Sequence, residues 1–359
     1  MDRQKNIDAR ENYSQKKRHD NNSLLGLPED VFCYVLSRLA AKCLYSNARY
    51  VCKPWATIIR SSHFIETQLC HANPGLFVQS TAYPYGAYIF DIKENEQFEV
   101  TDKKPQYPGR FLNSFQGLAL FYQYATGIVY VANPITMQVA RVPDLLKCKL
   151  AYPPCAIVRV PRTGEFKLFA AHVQMQRGVS ICHWYVLRLG IEDSWKIITT
   201  QSGDFDFKCS PVYTGGSDLY WITEHSVILL DVDKETFLMF SHPQGRQWQP
   251  QYLRMGDCLS SVIFLKHVFQ IHIFDTNSGK WTLYHQMEGF KYPNPSYNAL
   301  SESFCAWMNQ EVIFKTIRIP SCSTLVFGYN LKTGIVRTIA TTNFGFYDVG
   351  LHTSTLVSW

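Results

Sequence analysis

Two acidic pairs are the first candidates for catalytic chemistry in this sequence. Glu192-Asp193 and Asp231-x-Asp233 each hold two carboxylates close enough along the chain to act as a general acid and a general base. Both pairs fall where the flanking residues predict a turn between strands, and Asp is a frequent turn former. The turn interpretation is favoured for both pairs.

A further candidate is the thiol of Cys52, which Lys53 follows directly. A neighbouring lysine can stabilise a reactive thiolate. The simpler interpretation, a small buried residue of a helical module, is favoured.

Other motifs that carry enzyme chemistry are missing from the sequence. It contains no GxSxG, GxxxxGK[ST], GxGxxG or HExxH motif and no CxxC pair, and its 11 His and 11 Cys are scattered. We therefore expect a non-catalytic chain with no catalytic residue, no metal and no cofactor.

Charge and hydropathy exclude further classes of protein. Residues 1–22 and 23–72 each carry a net charge of +2, and the remaining residues share only +2, so a basic stripe for nucleic acid is not predicted. No apolar run is long enough to span a membrane, and the polar N-terminus does not resemble a signal peptide. We expect the protein in the cytoplasm, the nucleus or both, and residues 1–22 as a disordered tail.

Residues 23–72 show a helical pattern. Leu27-Pro28-Glu29-Asp30 predicts a helix start, because proline suits the first turn and the acids suit the helix dipole. Further helices are predicted over 41–50, 54–60 and 64–69. So many apolar groups in about 45 residues cannot all be buried internally, so we expect a hydrophobic face that needs a partner.

These residues resemble the F-box. The resemblance rests on Leu27-Pro28-x-Asp30, residues 35–39 (VLSRL), Lys42, Leu44, residues 51–55 (VCKPW) and Phe64. Two departures are Ala40, where proline is common, and an extra residue between Leu44 and Val51. The resemblance implies docking on a Skp-family adaptor protein, and through it on cullin and RING subunits. The implied contacts are Leu27, Pro28, Val31, Val35, Leu36, Leu39, Leu44, Val51, Cys52 and Trp55.

Residues 73–359 repeat a pattern of apolar strand, polar turn and apolar strand. Six such hairpins have turns that begin near Asp91, Asn133, Gly190, Asp231, Asp275 and Asn330. These turns are 41–57 residues apart, and a repeat of about 40–50 residues that contains such a hairpin is typical of a propeller blade of four strands. The sequence predicts six blades, with a strand around 353–359 closing the ring against the first blade.

The same region resembles the F-box-associated domain of plant proteins. The matching segments are residues 117–120 (GLAL), 133–136 (NPIT), 194–195 (SW), 216–221 (GSDLYW), Asp231 with 236–237 (TF), and 354–358 (STLVS). The resemblance implies a kelch-like propeller or a β-sandwich-like fold, and the repeat length favours the propeller. The fold class is thus mainly β, with a small all-α N-terminal module.

Two loops mix tyrosine with proline and are candidates for binding a substrate protein. They contain Tyr83 and Tyr85 in one and Tyr292 and Tyr297 in the other.

The sequence therefore predicts the substrate-recognition subunit of a Skp-cullin-F-box ubiquitin ligase, with an unknown protein as substrate. Two alternatives stay open: an F-box scaffold that does not direct degradation, and a propeller that binds carbohydrate or acts as an enzyme.

Overall fold

The computed structural model describes residues 28–81, 86–91, 107–145, 154–241, 250–265, 268–288, 303–308, 310–318, 323–341 and 347–359. The predicted tail at 1–22 lies outside these ranges. The chain divides into two compact units. The helical unit ends at Ala72 and also includes Ser354–Val357, and the β unit comprises Asn73–Thr353 with Ser358–Trp359.

Within its described residues, the helical unit contains four α-helices and one 3-10 helix. In chain order they are α1 (Glu29–Ser37), α2 (Ala41–Ser46), the 3-10 helix Ala48–Tyr50, α3 (Lys53–Arg60) and α4 (Ser62–His71).

Local sequence signals set most of these helix ends. Pro28 is the N-cap of α1, and Glu29 and Asp30 occupy the first turn, which confirms the predicted start. The hydroxyl of Ser61 accepts a hydrogen bond from the Phe64 amide at 3.2 Å and caps α4. The single helix predicted over 41–50 is wrong, because Asn47 has a non-helical backbone and divides it.

The β unit is built from six sheets in the described part of the chain. We number these blades by their first strand along the chain. Blade 1 holds β1 (Pro74–Ser80), β2 (Ala87–Asp91) and β23 (Tyr347–Thr353). Blade 2 holds β3 (Arg110–Phe115), β4 (Leu118–Gln123), β5 (Ile128–Asn133) and β6 (Gln138–Arg141). Blade 3 holds β7 (Cys155–Arg159), β8 (Phe166–Gln176), β9 (Val179–Arg188) and β10 (Lys196–Ser202).

The remaining blades follow the same plan. Blade 4 holds β11 (Val212–Tyr213), β12 (Asp218–Ile222), β13 (Ser226–Asp231) and β14 (Thr236–Ser241). Blade 5 holds β15 (Gln251–Met255), β16 (Cys258–Leu265), β17 (Val268–Asp275) and β18 (Lys280–Glu288). Blade 6 holds β19 (Ser303–Met308), β20 (Glu311–Arg318), β21 (Ser323–Asn330) and β22 (Val336–Thr341). Strands pair in chain order within blades 2–6, which confirms the predicted six-bladed propeller.

The ring closes by pairing the end of the β unit with its beginning. Strand β23 runs antiparallel to β1, from Pro74 opposite Thr353 to Ser80 opposite Tyr347. Closure by the last strand is thus confirmed, but its predicted position at 353–359 is wrong. The pairing strand ends at Thr353, and no strand is assigned to 354–359.

Asx turns join the two outermost strands of several blades. The side-chain oxygens of Asn133, Asp231 and Asn330 each accept hydrogen bonds from the amides two and three residues later, at 2.8–3.2 Å. Four residues after each of these, Met137, Glu235 and Gly334 have positive φ. Asp and Asn therefore supply the turn caps that the hairpin pattern predicted. In the first predicted hairpin, residues 92–100 lie outside the described ranges.

Polar contacts tie the closing strand to its neighbours. The Arg110 guanidinium of β3 donates to both carboxylate oxygens of Asp348 on β23, at 2.7–2.9 Å. On the same strand, the His352 ring lies 2.7 Å from the Ser114 hydroxyl. These contacts join blade 1 to blade 2 by side chains, since no backbone ladder crosses between blades.

Aromatic side chains fill the core of the β unit. Phe77 on β1 is fully buried and packs against the rings of Phe111 and Phe121, at centroid distances of 4.9 and 5.7 Å. Between blades 3 and 4, the rings of Trp184 and Trp221 meet at 4.9 Å. Burial of such large rings is the main force that holds neighbouring blades together.

Candidate functional site: an exposed apolar helix face

Helix α1 presents apolar side chains to solvent along one side. Val31, Tyr34 and Val35 follow helical spacing, and Leu39 lies just beyond the end of the helix. All four are exposed, and Val35 retains 54% of its accessible surface. We call these four residues the α1 face. Large apolar groups grouped on one side of a surface helix are typical of a protein-binding site.

Two of the predicted contact residues do not belong to this surface. Leu36 and Leu44 are 1% and 0% exposed, so they are core residues of the folded chain. Either side chain would have to become exposed before it could contact another protein, so the adaptor contact of these two residues stays a prediction. Leu36 follows Val35 directly, and a rotation of about 100° per residue turns it away from Val35 and into the interior of the helical unit.

The other predicted contacts differ in exposure. Val51 is 63% exposed, and Pro28 is also on the surface. Cys52 and Trp55 are half-buried, and Trp55 meets Phe32 edge to face at 6.4 Å. Leu27 lies outside the described residues.

Basic side chains flank the exposed apolar groups. Arg38 donates a hydrogen bond to the Tyr34 hydroxyl at 3.0 Å and lies over its ring at 4.8 Å. Arg49 lies over the rings of Tyr45 and Tyr50 at 3.6 and 4.7 Å. Arg38 on this surface is exposed. A partner surface with apolar residues and acidic neighbours would complement this arrangement.

The cysteine of α1 is not activated for nucleophilic chemistry. Burial raises the pKa of Cys33, and the charges of Glu29 and Asp30 raise it further. A raised pKa keeps the thiol protonated at neutral pH, whereas the thiolate is the nucleophile.

The acidic pairs singled out in the sequence serve turns of the propeller. Asp231 caps its turn as described above. Burial raises the pKa of Glu192, but hydrogen bonds from Lys196 and Arg188 outweigh it and hold the pKa at about 2. A carboxyl that is ionised at neutral pH cannot act as the general acid, so the turn interpretation fits both sites.

The substrate-binding residues predicted in the Tyr-Pro loops, Tyr83, Tyr85, Tyr292 and Tyr297, lie outside the described residues. Sequence reasoning missed a different set of exposed apolar residues, on the outer strands of the blades. They are Val139, Ile197, Leu238, Met239, Leu283 and Tyr284. A signal was present in residues 237–240 (FLMF), where four apolar residues in a row break the alternation expected of a half-buried strand.

No group of three or more His, Cys, Asp or Glu side chains among the described residues could hold a metal ion. No helix in the described ranges is both long and apolar enough to cross a membrane.

Comparison with protein families matches the F-box domain to residues 24–67. Residues 24–67 are an F-box domain. F-box domains bind Skp-family adaptor proteins, and the α1 face lies within the matched residues. The resemblance of the β unit to the F-box-associated domain of plant proteins stays a prediction.

No curated protein matches the chain significantly. Several solved structures match at low identity. One is a nidogen/laminin complex, at 11% identity and a TM-score of 0.46, covering 79% of this chain and 100% of that chain. Another is an oligogalacturonate lyase in complex with manganese, at 13% identity and a TM-score of 0.41, covering 72% of this chain and 71% of that chain. A third is TolB from Acinetobacter baumannii, at 12% identity and a TM-score of 0.39, covering 78% of this chain and 71% of that chain. Similarity at this level transfers no function to this chain.

Proposed function

We propose that this protein is the substrate-recognition subunit of a Skp-cullin-F-box ubiquitin ligase. The F-box domain docks on the adaptor, and the propeller binds the protein to be ubiquitinated. The protein itself forms and breaks no covalent bond. It raises the effective concentration of a substrate lysine near the ubiquitin thioester held by other subunits.

The observation that carries this proposal is the α1 face. Its apolar side chains remain exposed although the helical unit has a packed interior that includes Leu36, Leu44 and Phe64. Exposed apolar surface gains free energy when a partner covers it, by about 25 cal/mol for each Å² removed from water. The helical unit is thus folded in a form that still has apolar surface to bury.

The substrate side of the proposal rests on the surface of the propeller. A propeller presents loops and outer strands to solvent, and binding residues are concentrated on such segments. The exposed Leu238 and Met239 on β14 are one place where a substrate protein can bury apolar surface.

A binding assay with two matched double variants tests the adaptor contact. Val31→Ser with Val35→Ser alters the α1 face, and Leu238→Ser with Met239→Ser makes the same kind of change on β14. The full-length proteins are titrated with a recombinant Skp-family adaptor by calorimetry. We expect the α1 variant to lose at least about tenfold in affinity, because binding would bury the exposed 39% of Val31 and 54% of Val35, and full burial of a valine contributes about 1.5 kcal/mol or more.

The β14 variant should bind the adaptor as the wild type does. Wild-type affinity in the α1 variant would contradict the assigned contact face. A reconstituted ligase that ubiquitinates no protein captured by the propeller would instead favour the scaffold alternative.

A further inference from the structure

The β unit has a cavity at the centre of the ring that is partly open to solvent. Its volume is about 350 Å³, and residues of β3, β7, β11, β15, β19 and β23 line it. They are the first strand along the chain in each of blades 2–6 and the closing strand β23 of blade 1. A volume of this size lies in the range of about 300–1,000 Å³ that is typical of small-molecule sites.

The charged side chains at this cavity are mostly basic. Arg254, Lys315 and Asp348 line it. The carboxylate of Asp348 already accepts hydrogen bonds from Arg110, and Lys315 Nζ lies 3.9 Å from it. Among the described residues that line the cavity, two side chains are basic and one is acidic, and the acidic one is already engaged.

Among the described residues, Arg254 makes one ion pair, a loose and solvent-exposed one with Asp257. The Arg254 Nε donates to the Gly256 carbonyl oxygen at 2.7 Å. The carboxylate of Asp257 is 3.6 Å away, and that side chain is 93% exposed, so water weakens the attraction. Burial lowers the pKa of Arg254 by more than the charge of Asp257 raises it.

The backbone leaves room for this guanidinium. Gly215 has φ of +92°, and a Cβ built there would lie 2.5 Å from one terminal nitrogen of Arg254. A larger residue would therefore be strained and would also displace the arginine. The position of Arg254 at the cavity depends on this glycine.

Aromatic rings form much of the remaining wall. Phe115, Tyr213, Tyr252 and Trp307 all line the cavity. The rings of Phe115 and Tyr213 meet at 4.5 Å, and Arg254 Cζ lies 5.9 Å from the Phe115 ring. A wall of aromatic groups beside a cation suits a ligand with a flat apolar part and an anionic group.

We propose that the central cavity binds a small organic anion. Its carboxylate or phosphate group pairs with Arg254, and its ring or apolar part lies against the aromatic wall. The site is formed by the β unit alone, so the proposal does not depend on adaptor binding.

Calorimetric titration of the full-length protein tests the site, with benzoate and phenyl phosphate as probes and ionic strength held constant. Saturable binding of benzoate alone would assign a carboxylate ligand, and binding of phenyl phosphate alone would assign a phosphate. Binding of both would support the shared chemistry. The absence of saturable binding of either probe would overturn the proposal.

Variants locate the binding. Arg254→Gln should lower the affinity for the probe by at least about tenfold, which is the expected effect of losing one charge-assisted hydrogen bond. Arg162→Gln is the matched control, since Arg162 is exposed and its side chain lies 3.9 Å from Asp233. Lys315→Gln supplies a second test if Arg254→Gln does not fold. Undiminished binding in both cavity variants would overturn the assignment.

Discussion

The helical unit and the propeller differ in how they bury apolar side chains. The α1 face keeps Val31 and Val35 in water, while the propeller pairs its last strand with its first and encloses residues such as Phe77. A closed ring leaves no unpaired strand at the joint between its ends. The comparison suggests that the helical unit needs a partner to bury its remaining apolar surface, whereas the propeller closes by pairing its own strands.

The largest effect is expected from placing charge on the closing strand β23, which tests whether the ring closes through its own packing. Val349 and Leu351 pack against the core cluster of blades 1 and 6. Val349→Asp with Leu351→Asp should abolish the folded β unit. A carboxylate at each of these partly buried positions loses part of its hydration against the apolar cluster, at a cost of up to several kcal/mol, against a typical total stability of about 5–15 kcal/mol. Near-ultraviolet circular dichroism and thermal melting would show the loss. Leu238→Asp with Met239→Asp, on exposed positions of β14, should still melt cooperatively.

A direct comparison of the two units uses truncation to alanine. Phe77→Ala should lower the free energy of unfolding by about 3–5 kcal/mol, because it removes a fully buried ring and leaves a cavity. Val35→Ala, on the exposed α1 face, should change it by no more than about 0.5 kcal/mol. Denaturant titration measures both. Similar losses in the two variants would show that the α1 face is buried within this chain.

Lowering the pH should destabilise the propeller through His352 on its closing strand. Burial lowers the pKa of His352 from 6.5 to about 4. The ring Nε2 has no hydrogen-bond partner among the described residues, so the neutral ring is the form that fits. Because the unfolded chain binds this proton more readily, stability falls as the pH drops from about 6.5 to about 4. The total loss is about 3 kcal/mol.

Measurement of unfolding free energy against pH checks this effect, with His352→Asn as the non-titrating comparison. The variant should show a flatter profile between pH 6.5 and 4. An unchanged slope would assign the acid sensitivity to other groups.

The smallest expected effect distinguishes two ion pairs of similar geometry. Asp348→Asn breaks the partly buried pair between β23 and Arg110 and should cost about 1–3 kcal/mol. Asp144→Asn breaks an equally short pair with Arg141, but both side chains are more than half exposed. That change should cost less than about 1 kcal/mol. Equal costs in chemical denaturation would argue against a role for Asp348 in ring closure.

The hairpins of the propeller could be predicted from sequence because their signals are local. Asn133, Asp231 and Asn330 cap their own turns, so a few neighbouring residues are enough to indicate each one. Helix α1 was predicted for the same reason, from Pro28 and the acids that follow it.

The sites depend on contacts that no local pattern contains. Val35 and Leu36 are adjacent apolar residues of one helix, and only tertiary packing shows that the first is exposed and the second buried. Arg254 and Asp348 are far apart in sequence and meet at one cavity because the ring brings blades 5 and 1 to a common centre. A single sequence does not reveal which inner-strand residues will share that space.

Ring closure also sets the order of events during synthesis. About 270 residues separate Ser80, the end of β1, from Tyr347, the start of β23. At about 5–20 residues per second, β1 leaves the ribosome on the order of 10–60 s before its partner strand exists. Throughout that interval the nascent blade has an open edge. Chaperones that cover exposed strands would therefore be needed until β23 has been translated.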